Sequence, residues 1–365
     1  MEKKIDYLRI DMSQELIDKS VEKVRSILQK GNFILGEECE KFENNLTGYF
    51  GCKYALGVGS GFAALFLALC AIGVGEGDEV VTVANSFVAT VAAARLLRAK
   101  VVYCDVDSDR NMSVDDLKKA VSARTKAIIV VHLAGIAARI DEIADYARQK
   151  GIYVLEDGSQ AFGAMRNNKR VGTFGDIGCF SMHPTKNLGA CGDAGFVVTD
   201  DRELYTRIKR LRNHGLVDRD HCAEFGYNSR LDELQAALLN LKLEEVDSLN
   251  RRRNEIAQKY RNGLKDLPVE LPVTWENTYN VYFSFIIMVD DREKLMDHLS
   301  KKGIECKIHY PIPIHKQQAS IDSIGEVFLP KTEAQNERIL LLPVYPGLKD
   351  DQVDYIIRSV AEYYS

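Results

Sequence analysis

Short apolar runs recur at Glu79–Ala84, Lys100–Val106, Lys126–Val131 and Ile152–Glu156, and helix-like segments separate each from the next. Runs of this length read as buried strands. Strands alternating with helices predict an α/β fold: a mostly parallel central sheet flanked by helices. Two further runs, Ile177–Met182 and Ala194–Thr199, are joined only by a glycine-rich loop and should be adjacent strands without a full helical crossover.

Outside this region the pattern changes. Leu16, Ile17, Val21, Val24, Ile27 and Leu28 recur at helical spacing until Gly31, which predicts an N-terminal amphipathic helix. Phe62–Ile72 also reads as helical. Beyond the sheet lie one long charged helical pattern over Lys242–Leu264, an apolar run at Val281–Val289, a helical Arg292–Lys302 and the aromatic, proline-containing stretch Ile308–His315. The expected division is an N-terminal helix with a large domain over 1–241, and a smaller α+β domain over 242–365. Arg251–Arg253 reads as a solvated helix face.

Composition removes several function classes. The formal charge of −5, from 48 basic and 53 acidic residues, produces no field that would gather nucleic acid or an acidic membrane. Eight cysteines occur without CxxC pairs or Cys/His clusters, so neither a zinc site nor a disulfide framework is expected and a reducing cytoplasm fits. No stretch approaches the roughly 18 uncharged apolar residues of a spanning helix. A 365-residue chain that is 46% hydrophobic can bury a large core.

Three places could carry chemistry. Gly57-Val58-Gly59-Ser60-Gly61-Phe62 fails as a dinucleotide fingerprint, because Phe62 stands at the third glycine, and fails as a Walker loop for want of GK[ST]. It remains either a phosphate cradle at a helix start or a plain strand-to-helix turn. Asp157 ends an apolar run, so it is placed at the carboxyl edge of a buried strand, where it could hold a protonated ring nitrogen, cap a helix or bind a metal. Lys186 sits in a loop between two strands; partial desolvation there would free its amine for Schiff-base chemistry, whereas most lysines simply face solvent.

The order of phosphate-type turn, strand-end acid and loop lysine is accompanied by other motifs. These include Gly31-Asn32-Phe33-Ile34-Leu35-Gly36, Ser86-Phe87-Val88-Ala89-Thr90, Glu156-Asp157 with Gln160-Ala161, and His183-Pro184-Thr185-Lys186-Asn187-Leu188. Further on are Gly226-Tyr227-Asn228-Ser229-Arg230-Leu231-Asp232 and His309-Tyr310-Pro311-Ile312-Pro313-Ile314-His315. With them the chain resembles, over nearly its whole length, the DegT/DnrJ/EryC1/StrS family of sugar aminotransferases, which have the aspartate-aminotransferase fold and use pyridoxal 5'-phosphate.

The resemblance implies that Lys186 carries the cofactor as a Schiff base, Asp157 pairs with its ring nitrogen, Gln160 lies near its phenolic oxygen and Phe87 stacks on its ring. Its phosphate would be held by Ser60, Gly61 and Phe62 at the turn, by Ser181, and by Asn228 from the neighbouring subunit of a homodimer. His309, Tyr310 and His315 would border the substrate, although each residue type is equally common as buried structure. Phe62 departs from the family, which usually has threonine there, so one hydroxyl contact is lost. The implied reaction moves an amino group from an amino acid, L-glutamate, to a nucleotide-linked keto sugar. Relatives that aminate keto-cyclitols or act as dehydratases are the near alternatives, and a non-catalytic regulatory protein on the same scaffold is the distant one.

Overall fold

The computed structural model describes residues 4–365. Helix α1 (Gln14–Lys30) begins where the Ser13 side chain accepts the Leu16 N–H, and it ends at Gly31, whose φ of +71° suits a residue without a Cβ. In α2 (Glu37–Phe50) the buried Cys39, Phe42, Leu46 and Phe50 fall on one stripe. Then β1 (Tyr54–Val58), α3 (Gly61–Ala71), β2 (Glu79–Val83), α4 (Ala89–Leu96), β3 (Lys100–Cys104), α5 (Val114–Ala120), β4 (Thr125–Val131), α6 (Ile140–Lys150) and β5 (Tyr153–Asp157) alternate. Two-residue strands β6 (Met165–Arg166) and β7 (Lys169–Arg170) precede β8 (Ile177–Ser181) and β9 (Gly195–Thr199).

The main sheet has seven strands in the order β1-β9-β8-β5-β4-β2-β3. Only β9 runs against the rest, pairing antiparallel with both β8 and β1. That reversal is possible because the β8–β9 loop contains no crossover helix. Side chains alternate between two covered faces: Val80 and Ile129 pack with Leu67 and Ala68 of α3, while Val81, Ile128 and Val130 pack with Leu117 of α5 and Ile143 of α6. A sheet buried on both sides leaves its strand ends as the place where polar groups can gather.

After β9 come α7 (Arg202–Leu211), α8 (Glu233–Leu243) and α9 (Val246–Leu264). The helix expected over Lys242–Leu264 is therefore two, broken at Glu244–Glu245, with Lys242 and Leu243 ending α8; the division at 241/242 falls inside α8. A second core joins Ile256 and Tyr260 of α9 to β11 (Phe285–Met288), α10 (Arg292–Lys301), β12 (Ile339–Leu342) and α13 (Asp350–Tyr363). Strands β11 and β12 pair antiparallel, and the short β10 (Thr278–Tyr279) joins β6 and β7. Between them, α11 (Gln318–Ile324) and α12 (Pro330–Arg338) complete the chain. The apolar run at Val281–Val289 is strand only from Phe285 to Met288, because Val281 donates its N–H to Gly135 instead. Near the N-terminus Ile5 bridges to Ile304 and is buried in this second core.

Candidate active site

The carboxyl ends of the parallel strands converge on a cavity of about 380 Å³. Ser60 and Gly61 follow β1, Phe87 follows β2, Asp157 ends β5 and Ser181 ends β8, and all of them line it together with Lys186. Four segments far apart in sequence thus meet because each leaves the same edge of one sheet.

At one end Ser60 caps α3, its hydroxyl oxygen accepting the Ala63 N–H at 3.1 Å. The N–H groups of the first helical turn have no carbonyl of their own helix to meet, which suits an anion. The approach is close: a Cβ on Gly61 would lie 2.5 Å from Cβ of Ser181, and one on Gly195 would lie 2.3 Å from the Ser60 carbonyl carbon. Phe62 also borders the cavity, its ring 5.8 Å from that of Phe66.

Asp157 is 5% exposed. Its Oδ2 accepts the Thr90 hydroxyl at 2.9 Å and its Oδ1 the Ser159 N–H at 3.2 Å. The adjacent Glu156 points to the opposite face of the sheet, where it accepts the N–H groups of Gly172, Phe174 and Gly175 and shapes a loop. Gln160 has a fixed orientation. Its Oε1 accepts the Ala134 N–H at 2.7 Å, so its amide nitrogen is turned to the Tyr310 hydroxyl, 3.2 Å away.

The Lys186 amine stands over the Phe283 ring, 4.6 Å from its centroid. Burial brings it down from the usual lysine range to about 8, against the opposing pull of Asp157. Phe87, 56% exposed, lies 5.9 Å from the Tyr310 ring. His309 stacks on Tyr310; burial and then the charges of Lys186 and Lys307 lower its imidazole, while burial raises the Tyr310 phenol.

His315, expected near the substrate, does not line this cavity, and neither does Asn228, which was expected to serve the neighbouring subunit's site. His315 is 1% exposed, its Nε2 3.0 Å from Glu333 and its ring against Tyr103, a buried structural arrangement. Asn228 lies beside Asn213 in an isolated bridge. Conversely, Ser86, Thr90, Ser159 and Phe283 belong to the cavity without having been singled out. Among the described residues, no group of three or more His, Cys, Asp or Glu side chains could hold a metal.

A sequence model of the DegT/DnrJ/EryC1/StrS aminotransferase family matches residues 14–361. The chain belongs to this family. It is 39% identical to the UDP-N-acetyl-3-dehydro-alpha-D-glucosamine 3-aminotransferase of Acidithiobacillus ferrooxidans, over 93% of this chain and 92% of that one. A protein of Geobacillus stearothermophilus named as a pleiotropic regulatory protein is 37% identical over 97% of this chain and 98% of its own. The crystal structure of Streptomyces venezuelae DesV in complex with a ketimine intermediate superposes with a TM-score of 0.96 at 35% identity, covering 99% of both chains. The match to that structure takes in the small C-terminal sheet as well.

Proposed function

We propose that this protein is a pyridoxal-phosphate-dependent aminotransferase that transfers an amino group from L-glutamate to a keto sugar linked to a nucleotide diphosphate. The observation that carries the reading is a desolvated lysine, Lys186, facing the same cavity as a buried carboxylate, Asp157, and a glycine-lined helix start. The cavity fits the cofactor: the N–H groups that open α3 border it beside the Asp157 carboxylate and the Lys186 amine, and Gly61 lets that turn close on Ser181 where a Cβ would clash.

In this reading the phosphate would be held by the Ser60–Phe62 turn, Ser181 and Asn228 of the partner subunit, the ring nitrogen by Asp157, the phenolic oxygen by Gln160 and the ring face by Phe87. When bound, pyridoxal phosphate supplies a protonated ring that withdraws electrons from a carbon losing its proton. Lys186 would hold the cofactor covalently. Its Nζ would also be the base that takes the proton from the α-carbon of the amino donor and the acid that delivers one to the sugar carbon. An amine brought down to about 8 suits both directions. His309 and Tyr310, at the cavity wall, border the sugar.

The acceptor class is supported by the Acidithiobacillus relative, whose name describes amination of a UDP-linked keto sugar. The Geobacillus relative is named as a regulatory protein, but a regulatory role without turnover gives no reason for a buried, readily deprotonated Lys186 beside Asp157. We also assign the protein to the cytoplasm as a homodimer; its cysteines, none of which forms a disulfide among the described residues, suit a reducing compartment. The test is to add L-glutamate to the holoenzyme, follow its visible absorbance, and then supply nucleotide-linked 3-keto and 4-keto sugars. Loss of absorbance on glutamate and its recovery with one sugar supports the reading. No spectral change with any amino acid overturns it.

A further inference from the structure

The segment between β2 and α4 brings more to the cavity than the Phe87 ring. Ser86 and Thr90, 4% and 1% exposed, form a short chain of hydrogen bonds that ends on Asp157. Thr90 Oγ1 lies 2.9 Å from Oδ2 of Asp157 and 2.9 Å from Oγ of Ser86. An ionised carboxylate only accepts, so the Thr90 proton goes to Asp157. A hydroxyl has one proton, so Ser86 must donate to Thr90. The direction of the chain is therefore fixed: Ser86 to Thr90 to Asp157.

Strand β4 separates β2 from β5, and Thr90 reaches across its end to the carboxylate with Ser86 behind it. On the other side Oδ1 is held by the Ser159 N–H at 3.2 Å. With one donor fixed on each oxygen, the carboxylate cannot rotate without breaking a hydrogen bond, and each oxygen keeps a further lone-pair direction for a ligand. A buried polar chain of this kind costs free energy wherever it is incompletely paired, so its presence at the carboxylate rather than an apolar Val or Ala points to a task.

We infer that Thr90, backed by Ser86, is a positioning residue that fixes the Asp157 carboxylate in the orientation that holds the protonated ring nitrogen of pyridoxal phosphate. This rests on the cofactor reading given above. Thr90 touches Asp157 and acts through it.

The experiment reconstitutes the protein with ring-¹⁵N pyridoxal phosphate and measures two things, the ¹⁵N chemical shift of the ring and the cofactor dissociation constant. Wild type and Thr90→Ser should both show a protonated nitrogen, because serine restores the donor. Thr90→Val should shift toward the unprotonated position and bind the cofactor roughly tenfold more weakly, the size expected for one hydrogen bond to a charged group. Ser86→Ala should move both readouts the same way by less, and it takes the place of Thr90→Val if circular dichroism shows that the valine variant does not fold. A folded variant that keeps the wild-type shift and affinity overturns the inference. Asp157→Asn separates the two levels: if the wild type binds no cofactor, or Asp157→Asn keeps a fully protonated nitrogen, the cofactor reading fails and this inference with it. If Asp157→Asn loses the protonated signal while Thr90→Val does not, only the inference fails.

Discussion

The Lys186 amine faces the ring of Phe283 at 4.6 Å, so the nitrogen that must lose a proton meets an aromatic face where water would otherwise be. An aromatic face favours the cation slightly. Burial wins, and the amine falls to about 8. At pH 7 roughly a tenth of it is then neutral, against roughly one part in a few thousand for an ordinary lysine. Capture of pyridoxal phosphate by the apoprotein, followed by visible absorbance, should therefore accelerate through pH 8 and level off above about 9. A rise delayed until about pH 10 would contradict the buried setting of Lys186. The sign for stability agrees: between about 8 and the ordinary lysine value the folded chain holds fewer protons than the unfolded one, so this group adds stability as pH rises across that window.

Gly61→Ala should damage cofactor binding more than folding. The new Cβ would lie 2.5 Å from Cβ of Ser181 and 2.9 Å from its Cα, so α3 or the end of β8 must shift. Overpacking of this kind costs about 1–3 kcal/mol. Equilibrium dialysis should show pyridoxal phosphate bound at least tenfold more weakly, with a modest fall in Tm. Unchanged affinity would mean that the turn does not carry the phosphate.

Glu233 fixes the entrance of α2. Its carboxylate accepts the N–H groups of Gly36, Glu38 and Cys39 at 3.0, 2.6 and 3.1 Å. Glu233→Ala leaves all three without that acceptor and should destabilise the protein by about 2–4 kcal/mol in a denaturant titration, with Glu233→Gln losing less. A loss under about 0.5 kcal/mol would show that water replaces the carboxylate freely.

The sheet could be read from the sequence because strands covered on both faces are apolar almost without interruption, as Glu79–Val83 and Thr125–Val131 are. Tyr54–Val58 shares those faces but is hard to read, being short and running straight into glycines that dominate the local pattern. Helix α2 did offer a signal, the spacing of Cys39, Phe42, Leu46 and Phe50, but its charged residues mask it. The break at Glu244–Glu245 has no proline or glycine to mark it, so two helices looked like one. At the site, Lys186 and Asp157 are legible from residue type and position, whereas Gln160 enters only through the family resemblance. Thr90 is not legible, since a threonine after a strand reads as an ordinary helix start, and its hydrogen bond to Asp157 spans 67 residues. His315 is the converse case, a histidine in a suggestive motif whose ring lies against Glu333.

Asn228 does not line the cavity of its own chain, which accords with a role in the partner's site and predicts complementation. Lys186→Ala and Asn228→Ala homodimers should each be impaired. A mixed dimer gathers both changes in one site and leaves the other intact, because a two-fold interface exchanges the same residues in both directions. Random exchange makes about half the dimers mixed, so co-expressed, differently tagged chains should regain roughly a quarter of wild-type activity. Mixed dimers no more active than the average of their parents would confine Asn228 to its own subunit or to no site.

The most direct measurement is where the cofactor is attached. Reduction of the holoenzyme with borohydride should make the bond permanent, and peptide mass spectrometry should find the pyridoxyl group on Lys186 alone, with Lys186→Ala retaining no adduct after denaturation. An adduct on another lysine, or a wild-type protein that carries none, would contradict the account.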